Sequence, residues 1–317
     1  IIKCSQKDFS NLKKEDYIKE LGQYRCLTDN ITFAGGALTW MGFCPDNRYS
    51  IVATKQAFLA CEEMGIDEAC ITLWGDDGGE CSPFAALPTL FASSEYARGN
   101  FNEALIRERF KQAFGIDFDT FCLLDEPNRV VPCKELKFSN AAKYLLYNDV
   151  FLGRENRAAV AGRKEFYADL AEKLSRETKN QEYGYIFKME ETLCRVLELK
   201  YDFGVRIRGA YSDGDQKQLQ TLCDEMSEIK LRMQDFYTAF EEYWMRDKKP
   251  QGFDVQDIRL GGLLQRITHC QNRLIDYLRG NLETLPELEE MPPEAVMENS
   301  VNRYCCYYHI GVTANVI

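Results

Sequence analysis

The residues with the clearest chemical potential lie in one stretch, from Cys70 to Glu80. An apolar, β-branched run ends there at Trp74, and Asp76, Asp77 and Glu80 follow among glycines. An indole stacks on the apolar face of a sugar ring, while carboxylates accept hydrogen bonds from its hydroxyls. The stretch therefore predicts a sugar-binding site that uses Trp74, Asp76, Asp77 and Glu80.

Two other interpretations fit the same residues. The stretch could be an ordinary polar loop, with Trp74 as a core residue. The carboxylates also suit Ca²⁺ or Mg²⁺, but their spacing does not match an EF-hand loop. A zinc site is not expected either, because the chain has 2 histidines and no C-x-x-C pair. We therefore expect no metal and no cofactor.

The elements that position these residues form a strand, a helix and a second strand. Residues 31–37 and 70–74 have the pattern of buried strands, and a helix from Ser50 to Gly65 is predicted between them. This order predicts two parallel strands, whose carboxyl ends lie at the same edge of a sheet. Both strands end in glycines near a tryptophan, so Trp40 is a further candidate for a pocket wall, with a core role as the alternative. A helix over 83–96 follows, and Pro88 is expected to kink or split it.

The second half of the chain has helical periodicity. We predict helices over 163–180, 185–208, 213–246 and 254–278, the third with an apolar stripe from Leu219 to Phe240. Gly261-Gly262 in the last of these helices is expected to permit close packing. The predicted fold class is therefore α/β, then all-α, divided into residues 1–115 and 116–317. Two strands do not form a stable sheet alone, and the chain opens on Ile1-Ile2, so we expect further strands upstream.

Composition excludes several classes of function. The chain has 39 basic and 50 acidic residues, a net charge of −11, which argues against nucleic acid or an anionic membrane as the partner. There is no apolar run of membrane-spanning length and no signal peptide. The 13 cysteines are scattered over apolar helical faces, which predicts reduced thiols and a cytoplasmic location.

Four ordered segments resemble one known family. Trp74-Gly75-Asp76, with the helix after it, resembles the end of the catalytic barrel of glycoside hydrolase family 20, the β-N-acetylhexosaminidases. In that family the last barrel strand ends in Trp, one residue and a carboxylate, usually Glu. The fuller resemblance is to the bacterial branch with a helical C-terminal domain, and it is carried by residues 33–37, 74–80, 143–149 and 252–259.

The resemblance implies a fold and an activity. Residues 1–115 would be the C-terminal strands of a (β/α)8 TIM barrel, and residues 116–317 the helical bundle domain. The family removes terminal β-linked N-acetylhexosamines with retention, and the substrate's own acetamide attacks the anomeric carbon. An adjacent Asp-Glu pair orients the acetamide and protonates the leaving oxygen. Since that pair ends the fourth barrel strand, it is expected upstream, and we assign no catalytic residue in this chain.

The resemblance also implies binding roles. Trp74 corresponds to the indole under the sugar, and Asp76 to the acid that accepts from its outer hydroxyls. Because Asp is shorter than the usual Glu, Asp77 or Glu80 could serve instead.

Other acidic residues have less specific interpretations. We carry no catalytic role onto the pairs Asp125-Glu126 and Asp224-Glu225, the second of which is expected on a solvated helix surface. Residues 147–149 (Tyr-Asn-Asp) would cap the barrel mouth or bond the domains together. The expected partner is an N-acetylhexosamine-containing glycan, and a homodimer through the helical domain is possible. The rival functions are a non-catalytic glycan-binding module and a helical interaction module.

Overall fold

The structure is a computed structural model that describes residues 13–40, 42–129, 140–156, 159 and 163–290, with only the backbone at residue 77. The chain divides into two compact units, residues 1–125 and 126–317, called unit 1 and unit 2 below. Each unit is described separately.

Unit 1 is an α/β unit. Its described helices and strands, in chain order, are α1 (Lys14–Arg25), β1 (Thr32–Gly36), α2 (Asn47–Met64), β2 (Glu68–Thr72), α3 (Leu87–Tyr96), α4 (Glu103–Phe114) and α5 (Phe118–Phe121).

The predicted strand–helix–strand unit is confirmed. β1 and β2 pair in parallel, with a register that runs from Thr32 opposite Glu68 to Gly36 opposite Thr72. The two strands therefore end side by side, and the loops that follow them leave the sheet at the same edge.

Local capping explains the bounds of α2. The helix begins a turn earlier than expected, because the Asp46 side chain, and not Ser50, accepts a hydrogen bond from the backbone N–H of Tyr49. It ends as predicted at Gly65, which adopts the left-handed conformation with φ of 63°.

The burial expected for the second strand is wrong. Glu68, Ala69 and Cys70 are exposed in β2, and Leu73 beyond its end is 38% exposed. Parallel strands become buried when neighbouring strands and helices cover them. In the described part of the chain the sheet has two strands, so β2 has one strand neighbour.

Pro88 splits the following segment, as predicted. Residues Pro83–Ala86 form a 3₁₀ turn, and α3 starts at Leu87 with Pro88 in its first turn. Proline is tolerated there because the first N–H groups of a helix have no partner within the helix.

Unit 2 is helical in all its described secondary structure. Its helices are α6 (Ala141–Tyr147), α7 (Arg163–Ser175), α8 (Gly184–Lys200), α9 (Phe203–Ser212), α10 (Gln216–Asp247), α11 (Phe253–Leu278) and α12 (Pro286–Glu289).

The apolar stripe of α10 forms much of the core of unit 2. All of its predicted members are buried: Leu219, Leu222, Met226, Ile229, Met233, Phe236 and Phe240. The rings of Phe236 and Phe240 stack with centroids 5.8 Å apart. Helical periodicity alone was sufficient to predict this buried face.

The single helix expected over 185–208 is wrong, because it is divided into α8 and α9. At the end of α8 the buried Lys200 ammonium donates to the carbonyls of Leu145 (3.2 Å) and Asn148 (2.5 Å). At the start of α9, Gly204 lies against the Asn156 side chain with no room for a Cβ. These contacts involve residues distant in sequence, so periodicity does not reveal the break.

Two further findings concern the described residues as a whole. No disulfide joins the nine cysteines that the structure describes. None of the helices in the described ranges is both long and apolar enough to cross a bilayer.

Candidate functional site

The candidate site lies where β1 and β2 end. Gly36 and Thr72 are opposite each other at the last paired position of the sheet. The backbone N–H of Ala37 donates to the carbonyl of Thr72 at 2.9 Å, so the pairing extends to the point where both loops begin. Trp40 follows β1 by four residues and Trp74 follows β2 by two.

Trp74 is an exposed side chain held in place by hydrogen bonds. Its ring is 45% exposed, so the interpretation of Trp74 as a core residue does not hold for the described chain. Its Nε1–H donates to the hydroxyl of Thr72 at 2.8 Å, and its backbone carbonyl accepts from the hydroxyl of Thr39 at 2.9 Å. Trp74 is therefore anchored through both its side chain and its main chain.

Trp40 packs over the end of β1. A Cβ placed on Gly36 would lie 2.8 Å from Cη2 and 3.2 Å from Cζ3 of the Trp40 ring, and 3.8 Å from the Thr72 hydroxyl. The ring thus occupies the space that a side chain at position 36 would need. Trp40 is half-buried, with part of its surface available to a ligand.

The structure links both tryptophans to one rung of the sheet. Trp40 contacts Gly36, Gly36 pairs with Thr72, and Thr72 accepts from Trp74. The two indoles that sequence reasoning selected are thereby joined through three consecutive contacts at the carboxyl edge of the strands.

The predicted acids lie in different environments. Asp76 begins a 3₁₀ turn, Asp76–Gly78, and is exposed. The preceding Gly75 has φ of −121° and ψ of 42°, which is not extended, so strand alternation does not orient Asp76 with Trp74. Glu80 is 1% exposed, whereas the side chain of Asp77 lies outside the described part of the chain.

Thr72 and Thr39 are site residues that sequence reasoning missed. A signal for Thr72 was present, since residues two apart on a strand face the same side and a hydroxyl there can accept from an indole N–H. No comparable local signal marked Thr39, which reaches Trp74 across 35 positions of sequence.

The first of the two acidic pairs serves folding. The Asp125 carboxylate accepts from the backbone N–H groups of Asn47 (2.9 Å) and Arg48 (2.8 Å), and from the Asn47 side chain (3.1 Å). Asp125 therefore stabilises the amino-terminal end of α2, where negative charge is favourable.

The second pair is partly buried, against expectation. Asp224 is on the exposed surface of α10, but Glu225 forms an ion pair with Arg206 of α9. Arg206 also contacts Asp202 at 2.8 Å, so Glu225 belongs to a network that ties α9 to α10.

Residues 147–149 are built into unit 2. The Asn148 side chain donates to Asn156 at 2.9 Å and accepts from the backbone of Glu155 at 3.0 Å. Asp149 forms an ion pair with Arg266 of α11 at 2.7 Å. All of these contacts lie within unit 2, so the two predicted roles, capping the barrel mouth and bonding the domains together, stay predictions.

Metal ligation has no support in the described ranges, where no cluster of three or more His, Cys, Asp or Glu side chains has a geometry that could hold an ion. The described site therefore offers an aromatic surface, hydroxyls and one exposed carboxylate.

The described fold is an α/β unit followed by a helical unit. Residues 119–304 match the family model described as Glycoside Hydrolase 20C C-terminal domain. The match covers more than half of the 317 residues, and the chain belongs to this glycoside hydrolase family. No curated protein matched the chain. The resemblance to glycoside hydrolase family 20 is confirmed for the helical portion, while Trp40 and Trp74 precede the matched range.

Proposed function

We propose that this chain forms the sugar-contacting edge and the helical domain of a β-N-acetylhexosaminidase, which removes terminal β-linked N-acetylhexosamine by substrate-assisted retaining hydrolysis. Family membership supports glycoside hydrolysis. The observation that carries the sugar assignment is Trp74, a half-exposed indole that hydrogen bonds hold at the carboxyl end of a parallel strand. In this proposal β1 and β2 are C-terminal strands of a (β/α)8 barrel within residues 1–115, and residues 116–317 are the helical domain.

The roles of the binding residues follow from their chemistry. The Trp74 face supplies apolar contact to the sugar ring, worth about 1–3 kcal/mol. Asp76 accepts from one or two sugar hydroxyls, at roughly 1.5–3 kcal/mol for each hydrogen bond to a charged group. Trp40 forms a wall of the same pocket. Asp77 and Glu80 are the alternatives to Asp76, and Glu80 is buried in the described chain.

We place the catalytic Asp-Glu pair of the family outside these 317 residues. Within the chain, Asp125 is committed to the amino-terminal end of α2 and Glu225 to Arg206, so one member of each pair is used by the fold. The 317-residue chain alone is expected to release no product from an aryl N-acetylglucosaminide above the buffer rate. Turnover by the purified chain would contradict this placement and redirect attention to Asp125-Glu126.

A binding experiment on the same chain tests the sugar assignment directly. Titration with N-acetylglucosamine should change tryptophan fluorescence in the wild-type chain, and Trp74→Ala should abolish the change. Trp244 is a suitable internal reference because it is 5% exposed in unit 2 and should not respond. A sugar response that Trp74→Ala leaves unchanged would contradict the assignment of sugar binding to Trp74.

The second candidate is a glycan-binding protein without catalysis, since Trp74 and Asp76 offer contacts to a sugar and no catalytic residue is assigned in this chain. Kinetic measurements on a longer protein that includes the upstream region distinguish the hydrolase from the non-catalytic glycan-binding protein. If the longer protein is the enzyme, Trp74→Ala and Asp76→Ala should each lower kcat/KM by about ten- to several-hundred-fold, at about 1.4 kcal/mol per decade. A non-catalytic protein would bind the sugar and show no turnover in any variant.

A further inference from the structure

A hydrogen bond to a hydroxyl restrains the orientation of the Trp74 ring. Trp74 is 45% exposed, so packing restrains its ring less than it would in a core. In this site the Nε1–H donates to the Thr72 hydroxyl at 2.8 Å, which supplies a directional restraint instead.

The Thr72 hydroxyl is itself oriented. It donates to the carbonyl of Gly35 on the neighbouring strand at 2.9 Å. A hydroxyl has a single proton, so this donation leaves only lone pairs for the indole N–H. Threonine is also β-branched and stiff about χ1, which limits the positions that its hydroxyl can take.

The same hydrogen bond determines how Trp74 can meet a ligand. Because the indole N–H is used within the protein, the ring offers a ligand its π face and carbon edge. Polar contacts to a sugar must then come from other groups, such as the exposed Asp76 carboxylate.

We propose that Thr72 is a positioning residue that sets the Trp74 ring at the orientation needed to stack on a sugar. This inference rests on the proposed sugar-binding function of Trp74. Preorganisation of this kind raises affinity because the ligand does not have to order the side chain on binding. Thr72 acts through Trp74 and needs no contact with the sugar.

The test uses three variants of the longer protein that includes the upstream region, because the proposed barrel is incomplete within these 317 residues. Thr72→Val keeps the shape and the β-branch but removes the hydroxyl, whereas Thr72→Ser keeps the hydroxyl. Thr32→Val is the matched control, because the Thr32 hydroxyl also makes a cross-strand contact, to Glu68 at 2.9 Å, at the opposite end of the same sheet. Melting temperatures establish that each variant is folded.

Two measurements are made on each variant. The first is the hydrogen-exchange rate of the Trp74 Nε1–H by NMR, assigned with Trp74→Phe. The second is the dissociation constant for N-acetylglucosamine. We expect Thr72→Val to accelerate the exchange and to weaken sugar binding about two- to tenfold, the range for one neutral hydrogen bond. Thr32→Val should change neither quantity, and Thr72→Ser, which keeps the hydroxyl but loses the β-branch, should lie closer to the wild type than Thr72→Val does.

Each result separates this inference from the function on which it rests. If the Trp74 Nε1–H exchanges at the wild-type rate in Thr72→Val, the positioning role is overturned, whether or not the dissociation constant for the sugar changes. Faster exchange with an unchanged dissociation constant would also overturn the positioning role. The proposed function would stand in that case, because the wild type binds the sugar. If the wild-type protein binds no sugar, the proposed function fails and the positioning role is overturned with it.

Discussion

Two tryptophans are held by the same kind of hydrogen bond, Trp74 at the strand edge of unit 1 and Trp244 in the helical core of unit 2. Each indole N–H donates at 2.8 Å to an oxygen of its own unit, the hydroxyl of Thr72 and the carbonyl of Lys249. Their apolar surroundings differ, since Trp244 is 5% exposed with its ring 5.7 Å from that of Phe253, whereas Trp74 is 45% exposed. A hydrogen bond fixes a ring in both places, but only buried apolar contact makes the ring a large contributor to stability.

The acids of the two regions show the same contrast. Asp76 is exposed after β2, whereas Asp149 is held in unit 2 by Arg266 and by the backbone N–H groups of Phe151 and Leu152, each at 2.9 Å. Burial alone would raise the pKa of Asp149, but the hydrogen bond and charge of Arg266 and these N–H groups lower it. The carboxylate of Asp149 is occupied by the fold, and that of Asp76 remains accessible to a ligand.

The largest expected difference between the regions is in stability. Trp244→Ala should lower the free energy of unfolding by about 3–5 kcal/mol, because it leaves a cavity among packed aromatic rings. Trp74→Ala should lower it by about 1 kcal/mol or less, since one hydrogen bond and a partly exposed ring are lost. Denaturant unfolding followed by circular dichroism measures both. Similar losses for the two variants would show that Trp74 belongs to a core after all.

Gly36→Ala should disturb the strand edge without changing either tryptophan. The new Cβ would lie 2.8 Å from the Trp40 ring, so the ring must move. Overpacking of this kind costs about 1–3 kcal/mol, and the half-buried Trp40 should bring the cost near the lower value. The melting temperature and the Trp40 fluorescence measure the two effects. An unchanged spectrum would mean that Trp40 does not occupy the space above Gly36.

Lys200 should make the stability of unit 2 depend on pH. Burial lowers the pKa of Lys200 from 10.5 to about 7, although Asp149 opposes this shift. Between these two values the unfolded chain binds a proton that the folded chain does not, so stability rises with pH above 7, by up to about 1.4 kcal/mol per pH unit. Below pH 7 Lys200 is protonated in both the folded and the unfolded chain, so it makes no pH-dependent contribution to the unfolding free energy.

The Lys200 effect is measured as unfolding free energy from pH 7 to pH 8. Lys200→Met should remove the increase of unfolding free energy between pH 7 and pH 8. It should also lower stability at every pH, because the contacts of Lys200 to two carbonyls are lost. Lys188→Met is the matched control on the same helix, because the Lys188 side chain is 49% exposed. If the increase is the same in all three proteins, Lys200 is not its source.

The smallest expected effect comes from Gly261 in α11. It is exposed, and a Cβ added there would meet nothing within 4 Å, which contradicts the close packing expected of this glycine. Gly261→Ala should therefore stabilise the protein by about 0.5–1 kcal/mol through the lower backbone entropy of the unfolded chain. Destabilisation in thermal unfolding would show that a partner covers this face of α11 in solution.

Much of the fold could be predicted because it depends on local patterns. The α10 stripe, the left-handed Gly65 and the division of the segment at Pro88 all follow from side chains within a few residues of one another. The break between α8 and α9 could not be predicted in this way, because it coincides with contacts that Lys200 and Gly204 make to residues 145–156.

The candidate site was predicted only in part for the same reason. The sequence placed Trp40 and Trp74 after two parallel strands, and the structure joins them at one rung through Gly36 and Thr72. It did not reveal that Glu80 is buried, since burial depends on the packing of the whole unit.

The sequence by itself determined the strand–helix–strand order with its parallel pair, the apolar face of α10 and the family resemblance, because periodicity, capping residues and short motifs are local properties of a chain. The tertiary structure decided which polar groups are occupied and which remain accessible. Asp125 reaches the start of α2 across 78 positions, and Thr72 reaches Gly35 across 37. Such hydrogen bonds form only when distant segments meet, so only the three-dimensional arrangement showed that the Asp125 carboxylate is used by the fold and that Trp74 stays exposed.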